Sequence, residues 1–291
     1  MTKKRGGAEW IDILRPSKND LDQLRKRFHI HPVILHELKE PSARPRVEAY
    51  DNYIYLIYYF PVYDRNEETS RRSEIDFIIT KNAAVTVHYE PLEVLSDYKK
   101  QTAENSLKLV YKIIESLLDF EERQLRHIRE KVEIVGNELF KDKEKEVLKK
   151  VSRLKRDISE YRIIVRHQGP ILESLLRRGT RFWGTDAQPY LNDLIGDHLK
   201  VINQLEDYRE AVADFEDTNN QLMDLKINAV MKTFTTLSFL TFPFMLLAAL
   251  FSMNTRDTPI IGLPGAFWII FIFMATMMIT LTIYFKRKGW F

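Results

Sequence analysis

Uncharged residues fill two long stretches at the C-terminal end of the chain, whereas charged and apolar residues are interspersed over most of the rest. The first stretch covers residues 233–255 and the second covers residues 258–285. A helix rises about 1.5 Å per residue and the hydrocarbon core of a bilayer is about 30 Å thick, so roughly 20 apolar residues span it. The pattern predicts two membrane-spanning helices, at about 233–254 and 265–285. A cleaved signal peptide would instead be N-terminal and shorter.

The charges beside these stretches predict the orientation of the helices. Lys226 and Lys232 precede the first stretch, and the basic residues 286–288 follow the second, while the connection holds only Arg256 and Asp257. Basic residues are retained on the cytoplasmic side of a membrane. We therefore expect a multi-pass protein of the cell (inner) membrane with both termini in the cytoplasm.

The residues before position 92 have the pattern of a cytoplasmic α/β domain. Segments rich in β-branched and aromatic residues alternate there with two short segments of helical periodicity. The predicted strands are WIDIL, RVEAY, NYIYLIYYFPVY, EIDFIIT and AVTVHY, with hairpin turns at 51–52 and 81–82. The predicted helices are NDLDQLRKRF, capped by Ser17 or Asn19, and PVILHELKE. This order predicts a small mixed sheet with flanking helices.

The following residues predict long helices that form a stalk. Apolar residues recur there at spacings of three and four, and Gly and Pro are few. We expect breaks or kinks at Gly136, Gly169, Gly179 and Gly184. The predicted fold class is α+β, and its three parts are an α/β domain at 1–91, a helical stalk or funnel at 92–230 and a membrane domain at 231–291.

Charge is distributed unevenly along the stalk. Residues 141–181 hold 13 Lys and Arg against 6 Asp and Glu, a net charge of +7, and residues 182–225 hold 2 against 10, a net charge of −8. One interpretation is that antiparallel helices pair a basic face with an acidic one. Another is that several copies gather their acidic segments into an electronegative mouth that enriches cations. Asp193 and Asp197, one turn apart, are either a solvated face or a carboxylate pair for a hard cation such as Mg²⁺.

Small, hydroxyl and flexible apolar side chains share one face of the first predicted span. Read at alternating steps of three and four, this face contains Asn228, Met231, Phe234, Ser238, Phe242, Met245, Ala249 and Ser252. Such a face suits packing against another membrane helix, where small and hydroxyl residues are common. It also suits the lining of a pore. The second span is large and apolar on nearly every face, as expected of a helix in contact with lipid.

Composition and motifs exclude several kinds of chemistry. The chain has no cysteine, which rules out disulfides, thiolate catalysis and cysteine-based zinc sites. The sequence has neither a Gly-rich phosphate loop nor a nucleophile motif, so no enzyme activity is predicted. His29, His31 and His36 lack a carboxylate at matching spacing and are expected on a helix surface rather than at a metal. No nucleic-acid partner is expected.

Several short motifs lie at the ends of the two spans. Ser252-Met253-Asn254 closes the first span, Pro243 lies within it, and YFKRKGWF ends the second. Together with YLNDLIGDH and NAVMK further upstream, these motifs resemble the CorA family of divalent cation channels. The similarity reaches weakly into the N-terminal domain. Ser252 stands where the family's motif has Gly, and the connection reads TRDTP where many members carry an acidic sequence.

This resemblance implies a homopentamer in membrane lipid whose first helices line the ion path. The implied selectivity filter is Ser252, Met253 and Asn254, and the implied lining residues are Asn228, Met231, Phe234, Ser238, Phe242, Met245 and Ala249. The implied cargo is hydrated Mg²⁺, since magnesium dehydrates reluctantly and an amide ring can bond its water shell. Transport of Zn²⁺, Co²⁺ or Ni²⁺ by the same fold is an alternative. A membrane-anchored sensor or scaffold is another, although the sequence shows no output motif for a sensor.

The resemblance also implies a regulatory site for cytoplasmic Mg²⁺. Asp193 matches an acidic position that binds regulatory magnesium between subunits in the family, and Asp197 would assist it. The second ligand would come from the N-terminal domain of the adjacent subunit, where Glu90 and Asp97 are the candidates. Bound metal would neutralise carboxylates that otherwise repel each other, and would thereby favour the closed channel.

Overall fold

The structure is a computed structural model that describes residues 7–64, 66–96, 103–253, 260 and 263–288. The chain divides into two compact units, Met1–Glu216 and Asp217–Phe291. The boundary between them lies inside one long helix, which contributes residues to both.

A five-stranded mixed sheet forms the centre of the first unit. Its strands are β1 (Glu9–Leu14), β2 (Arg46–Ala49), β3 (Ile54–Asp64), β4 (Thr69–Ile79) and β5 (Ala83–His88). The spatial order is β1-β5-β4-β3-β2, in which β1 runs parallel to β5 and every other neighbouring pair is antiparallel. The mixed sheet predicted from the sequence is confirmed. β4 is longer than predicted, because the polar residues Thr69–Arg72 pair with the end of β3 instead of forming a loop.

The turns between these strands and the cap of the first helix follow from the local sequence. The predicted turns at 51–52 and 81–82 connect β2 to β3 and β4 to β5. Helix α1 (Lys18–Phe28) begins with a capping box in which Ser17 and Asp20 bond each other's backbone amides, so Ser17 rather than Asn19 is the cap. Helix α2 (Pro32–Glu37) follows, and α3 (Glu93–Ser96) is a short turn after β5.

The three histidines near α2 lie on the surface, as predicted. His31 caps α2, since its Nδ1 accepts the Val33 amide at 3.3 Å. His29 ends α1 in a left-handed conformation, and His36 is exposed on α2. Within the described part of the chain no group of three or more His, Cys, Asp and Glu side chains is arranged to hold a metal ion.

Long helices make up the remainder of the molecule. They are α4 (Ser106–Glu138), α5 (Glu144–Val165), α6 (Gln168–Trp183), α7 (Gln188–Phe251) and α8 (Ala266–Arg287), and a short 3-10 turn at Thr185–Ala187 precedes α7.

The predicted breaks are only partly correct. Gly184 ends α6 with a φ of +103°, a conformation that favours glycine. Gly136 and Gly169 lie within the last turn of α4 and the first turn of α6. The prediction of a break at Gly179 is wrong, because α6 continues through it. A Cβ there would lie 2.9 Å from Leu191 Cδ1, so Gly179 allows α6 to pack closely on α7.

Both faces of the sheet are covered, because β3 is apolar on both sides. Leu56, Tyr58 and Phe60 face a core that includes Val110 and Leu117 of α4, Leu172 of α6 and Leu191 of α7. The alternate residues Tyr55, Ile57 and Tyr59 face a second core with Leu24 of α1 and Ile34 of α2. The first core fixes the N-terminal end of α7 to the domain.

Ion pairs connect the basic and acidic segments of the stalk. Lys155 of α5 lies 2.6 Å from Glu216 of α7, and Arg162 lies 4.0 Å from Glu206. The pairing order shows that α5 and α7 are antiparallel, so the first interpretation of the charge pattern holds for these residues. Lys200 of α7 adds a contact to Glu122 of α4 at 2.8 Å. Such exposed pairs each contribute up to about 1 kcal/mol.

Two neighbouring carboxyl groups on β4 are buried beside the second core. Asp76 Oδ2 accepts the hydroxyls of Tyr89 at 3.2 Å and Tyr55 at 3.4 Å, and Glu74 accepts the Ser42 amide at 2.8 Å. The remaining oxygens, Glu74 Oε2 and Asp76 Oδ1, meet no other donor among the described residues, and a proton on one carboxyl can bond the other. Burial raises the pKa of both, and that of Asp76 is raised well above its usual range, with the Glu74 carboxyl as the next cause. The pair therefore holds a proton to higher pH than two isolated carboxyl groups would.

This carboxyl pair should make the protein less stable as the pH rises. A raised folded-state pKa means that the native state retains a proton that the unfolded state releases above a pKa of about 4. The free energy of unfolding then falls as the pH increases from there toward neutrality. We expect Asp76→Asn, which cannot ionise, to flatten this decline in thermal unfolding midpoints measured in detergent. Asp22→Asn, on the exposed side of α1, is the control. Parallel pH profiles for wild type and Asp76→Asn would contradict the assignment.

Candidate ion path and regulatory carboxylates

Two helices of the second unit are long and apolar enough to cross a membrane. One is the end of α7 and the other is α8, in agreement with the predicted spans. Pro243 lies inside α7 without ending it. Because proline has no amide hydrogen, the Phe239 carbonyl loses its helical partner at that position.

One face of the first span is buried at Thr236, Leu240 and Phe244. We infer that α8 covers this face, because α8 is the other described helix of the second unit. Near the end of α7, the groove shared by the two helices is lined by Ala248, Phe251 and Ser252 from α7 and by Phe267, Ile270, Phe271 and Met274 from α8. The buried positions recur at steps of four, so they form one stripe on the helix.

Except for Ser252, which borders the groove with α8, the predicted lining face lies on the opposite side of α7. A rotation of about 100° per residue puts Ser238, Phe242 and Met245 roughly opposite the stripe of Thr236 and Leu240. These residues and the other members of the face are exposed, with Met245 70%, Phe242 68% and Phe234 63% accessible. Packing against α8 therefore does not account for this face. It is available to lipid, water or another copy of the chain.

The hydroxyl groups along the first span leave oxygen lone pairs available. Ser238 Oγ donates to the Phe234 carbonyl at 2.9 Å, and Thr241 donates to Leu237 at 3.0 Å. Because the single hydroxyl proton is used within the helix, the oxygen presents only lone pairs outward. On the lining face, Ser238 can therefore accept hydrogen bonds from the water around a cation.

The predicted selectivity filter begins where α7 ends. The Ser252 amide still bonds the Ala248 carbonyl at 3.0 Å, and Met253 bonds Leu250 at 3.3 Å in a final turn. Ser252 and Met253 are both exposed. The C-terminal end of a helix carries partial negative charge, which favours a nearby cation. Asn254 lies outside the described residues.

The predicted regulatory carboxylates lie side by side on α7. Asp193 is exposed, and its Oδ2 lies 2.7 Å from the hydroxyl of Tyr111, whose single proton is shared with Glu115 Oε1 at 2.8 Å. Asp197 is half-buried, and burial raises its pKa, with the Asp193 and Asp119 carboxylates as further causes. A bound cation would reduce the repulsion between Asp197 and these neighbouring carboxylates.

The described part of one chain does not complete a metal site at these carboxylates. Of the two candidate second ligands, Glu90 pairs with Arg71 at 2.6 Å, so its charge is already compensated within the chain. Asp97 lies outside the described residues. A ligand from a second copy is therefore required if Asp193 holds a metal.

A buried network of hydrogen bonds next to Asp197 was not predicted from the sequence. His198 Nδ1 donates to Gln168 Oε1 at 3.1 Å, and the Gln168 amide nitrogen donates to Glu121 Oε1 at 2.6 Å and to the Tyr59 carbonyl at 2.8 Å. Burial lowers the pKa of His198 to about 4, so the ring is neutral at physiological pH. This network of hydrogen bonds connects α7 to α6, α4 and the sheet. Its members are far apart in sequence, and no local pattern signals them.

Comparison with known proteins determines the family. The model of the CorA-like Mg2+ transporter protein family matches residues 5–287. The chain belongs to the CorA family. The cobalt/magnesium transport protein CorA of Thermotoga maritima is 24% identical over 97% of this chain and 83% of its own length. The protein of the same description from Methanocaldococcus jannaschii is 22% identical, over 97% of this chain and 90% of its own.

Solved structures show the same fold. The complete structure of the CorA magnesium transporter from Methanocaldococcus jannaschii superposes with a TM-score of 0.82 at 21% identity, covering 97% of this chain and 91% of that one. The ZntB cytoplasmic domain from Vibrio parahaemolyticus gives a TM-score of 0.62 at 16% identity, covering 74% and 87%. The predicted architecture of an α/β domain, a long helix and two C-terminal membrane helices is confirmed. As a CorA family member, the chain is a membrane transport protein for divalent cations and not an enzyme.

Proposed function

We propose that the protein is a homopentameric channel that passes hydrated Mg²⁺ across the cytoplasmic membrane. The observation that carries this proposal is the exposed face of the first span, which lies opposite the side that packs on α8. Two helices cannot enclose a conduit, so several copies must line it together. The names of the relatives, which specify magnesium and cobalt, support the choice of ion.

Selection of a hydrated ion follows from the chemistry of the proposed filter. Magnesium dehydrates reluctantly, so a ring of amide groups that bonds its water shell is less costly than direct coordination. Asn254 supplies that amide, and the α7 end next to Ser252 and Met253 supplies the negative end of a helix dipole. A ring of such helix ends attracts cations without a charged side chain.

The proposed path below the filter alternates polar and apolar side chains. Ser238 offers lone pairs to water, and Asn228 is the polar residue at the stalk end of the face. Phe234, Phe242 and Met245 are bulky, and a ring of them can exclude water and close the path. Closing then requires only a modest narrowing of the oligomer. The lining comprises Asn228, Met231, Phe234, Ser238, Phe242, Met245 and Ala249.

Flux measurements with different ions test this proposal. Purified protein in liposomes should admit Mg²⁺ down its gradient and Co²⁺ as well, while protein-free liposomes admit neither. Uptake of Zn²⁺ or Ni²⁺ in the absence of Mg²⁺ uptake would replace the magnesium assignment with the alternative cargo. Absence of flux for all four ions in correctly assembled protein would favour an anchored sensor or scaffold.

The regulatory proposal places cytoplasmic Mg²⁺ at Asp193, assisted by Asp197, between adjacent subunits. Metal that binds the closed arrangement better than the open one shifts the population toward closure. As internal magnesium falls, the sites empty and the carboxylates repel each other. The channel then opens, which constitutes negative feedback driven by the ion itself.

Asp193→Lys should remove this feedback. The ammonium group occupies the position of the metal and repels it, so flux should no longer decline when internal Mg²⁺ is raised to ~10 mM, well above the affinity of weak carboxylate sites. Protection of the stalk from protease by Mg²⁺ should be lost in the same variant. Asp186→Lys, at an exposed aspartate in the 3-10 turn before α7, is the control. If both variants keep the wild-type magnesium response, Asp193 is an ordinary solvated residue.

A further inference from the structure

A solvent-open cleft of about 690 Å³ lies between three segments of the first unit. The turn that joins β3 to β4 supplies Asn66, Glu67 and Glu68. Helix α4 supplies Lys131, Ile134 and Val135, and helix α5 supplies Lys150, Arg153, Leu154 and Arg156. Small-molecule sites usually have volumes of about 300–1,000 Å³, so the cleft is large enough for a ligand of metabolite size.

Two guanidinium groups in the cleft are available to bind an anion. Arg153 is exposed and makes no ion pair within the described ranges. Among the described residues, Arg156 has one weak ion pair, from Nε to Glu160 at 3.9 Å, and its two terminal nitrogens contact none of their carboxylates. The other two cations are engaged, since Lys131 binds Asp157 at 2.8 Å and Lys150 pairs with Glu138. Free guanidinium forks match the geometry of phosphate oxygens.

A stripe of further cations leads along α5 to the cleft. Lys145 and Lys149 precede Arg153 at steps of four, so the three residues lie on one side of the helix. Both lysines are exposed, and neither has an ion pair in the part of the chain that is described. A row of unpaired like charges raises the local concentration of anions.

The remaining lining residues suit the other parts of a nucleotide. Ile134 is 51% exposed between the cations and offers an apolar surface to a flat base. The carboxylates of Glu67 and Glu68 can accept hydrogen bonds from sugar hydroxyls or a base amino group. These carboxylates would only repel a simple anion such as inorganic phosphate. The lining therefore favours a ligand with separate phosphate, polar and apolar parts.

We propose that this cleft binds a nucleoside phosphate, with Arg153 and Arg156 on the phosphate groups and Ile134 against the base. The chain has no Gly-rich phosphate loop, so side chains rather than backbone amides hold the phosphates. The inference does not depend on the proposed channel activity, because binding is measured without flux.

Equilibrium binding of ATP to the full-length protein in detergent, without divalent metal, tests the proposal. ATP should bind more tightly than inorganic phosphate. Arg153→Glu should weaken ATP binding at least about tenfold, equivalent to about 1.4 kcal/mol. Arg166→Glu, an exposed arginine at the end of the same helix and outside the cleft, should leave the affinity unchanged. Ile134→Ser should weaken ATP binding but leave phosphate binding unaffected.

Four results would overturn the proposal. The first is that wild type binds no ATP, and the second is that Arg153→Glu and Arg166→Glu lose equal ATP affinity. The third is that ATP and inorganic phosphate bind with equal affinity. The fourth is that the cleft binds vesicles containing anionic lipid instead of ATP. Arg156→Gln is the second cleft variant if Arg153→Glu fails to assemble, and it should reduce ATP affinity in the same direction. An unchanged affinity in assembled Arg156→Gln would then count against the site.

Discussion

Replacing Asn254 by alanine is expected to abolish divalent cation uptake while the protein still folds and assembles. The amide is the group in the proposed filter that can both donate to and accept from the water shell of the ion. Its loss removes those hydrogen bonds from every subunit at once, and a decrease of at least about 100-fold in flux corresponds to roughly 2.7 kcal/mol in the barrier. The measurement is Mg²⁺ uptake into liposomes, together with the oligomer size in detergent.

A matched control separates the filter from general effects of losing an amide. Asn203 is exposed on the stalk part of α7, and Asn203→Ala should transport at the wild-type rate. Wild-type uptake in assembled Asn254→Ala would remove this residue from the filter. Equal losses of Mg²⁺ uptake in both variants would show that removing any asparagine amide from this region impairs transport, independently of ion selection.

Truncating Phe242 to alanine is expected to raise the leak through the closed channel. Phe242 belongs to the face opposite α8 and is 68% exposed in the single chain. A ring of phenyl groups in a narrow path excludes water, and its removal admits a hydrated ion. Tenfold more leak at saturating internal Mg²⁺ corresponds to a barrier lowered by about 1.4 kcal/mol.

Phe273→Ala is the appropriate control for this variant. Phe273 is 59% exposed on α8 and is comparable in size and exposure to Phe242. Phe271 is less suitable, because it lines the groove between α7 and α8, and its loss would disturb their packing. Similar leak in the Phe242 and Phe273 variants would contradict the assignment of α7 as the lining helix.

The fold was largely predictable because its strongest signals are local. Two uncharged stretches specify the membrane helices, and alternating aromatic and β-branched residues specify β3. Ser17 was one of two possible caps, and the side-chain bond to Asp20 distinguishes it. Gly179 was misread because a glycine that breaks a helix and one that permits close packing look the same in sequence. Only the contact with Leu191 separates the two roles.

The candidate site was predictable only in part, because part of it depends on long-range contacts. Helical periodicity placed Ser238, Phe242 and Met245 on one face, but the sequence left packing and lining as alternatives. The position of α8 on the other side of α7 removes packing within the chain as an explanation. The hydrogen-bond network from His198 through Gln168 to Glu121 was not predictable, since it joins three helices through side chains.

The accessibility of introduced cysteines tests most directly whether the first span lines the ion path, because the chain contains no cysteine of its own. Single variants Ser238→Cys and Met245→Cys place a thiol on the proposed lining, and Ile272→Cys places one on the exposed surface of α8. A hydrophilic cationic thiol reagent should abolish Mg²⁺ flux through the first two variants and leave the third unaffected. Modification that blocks Ile272→Cys while leaving both α7 variants conducting would contradict an ion path lined by the first span.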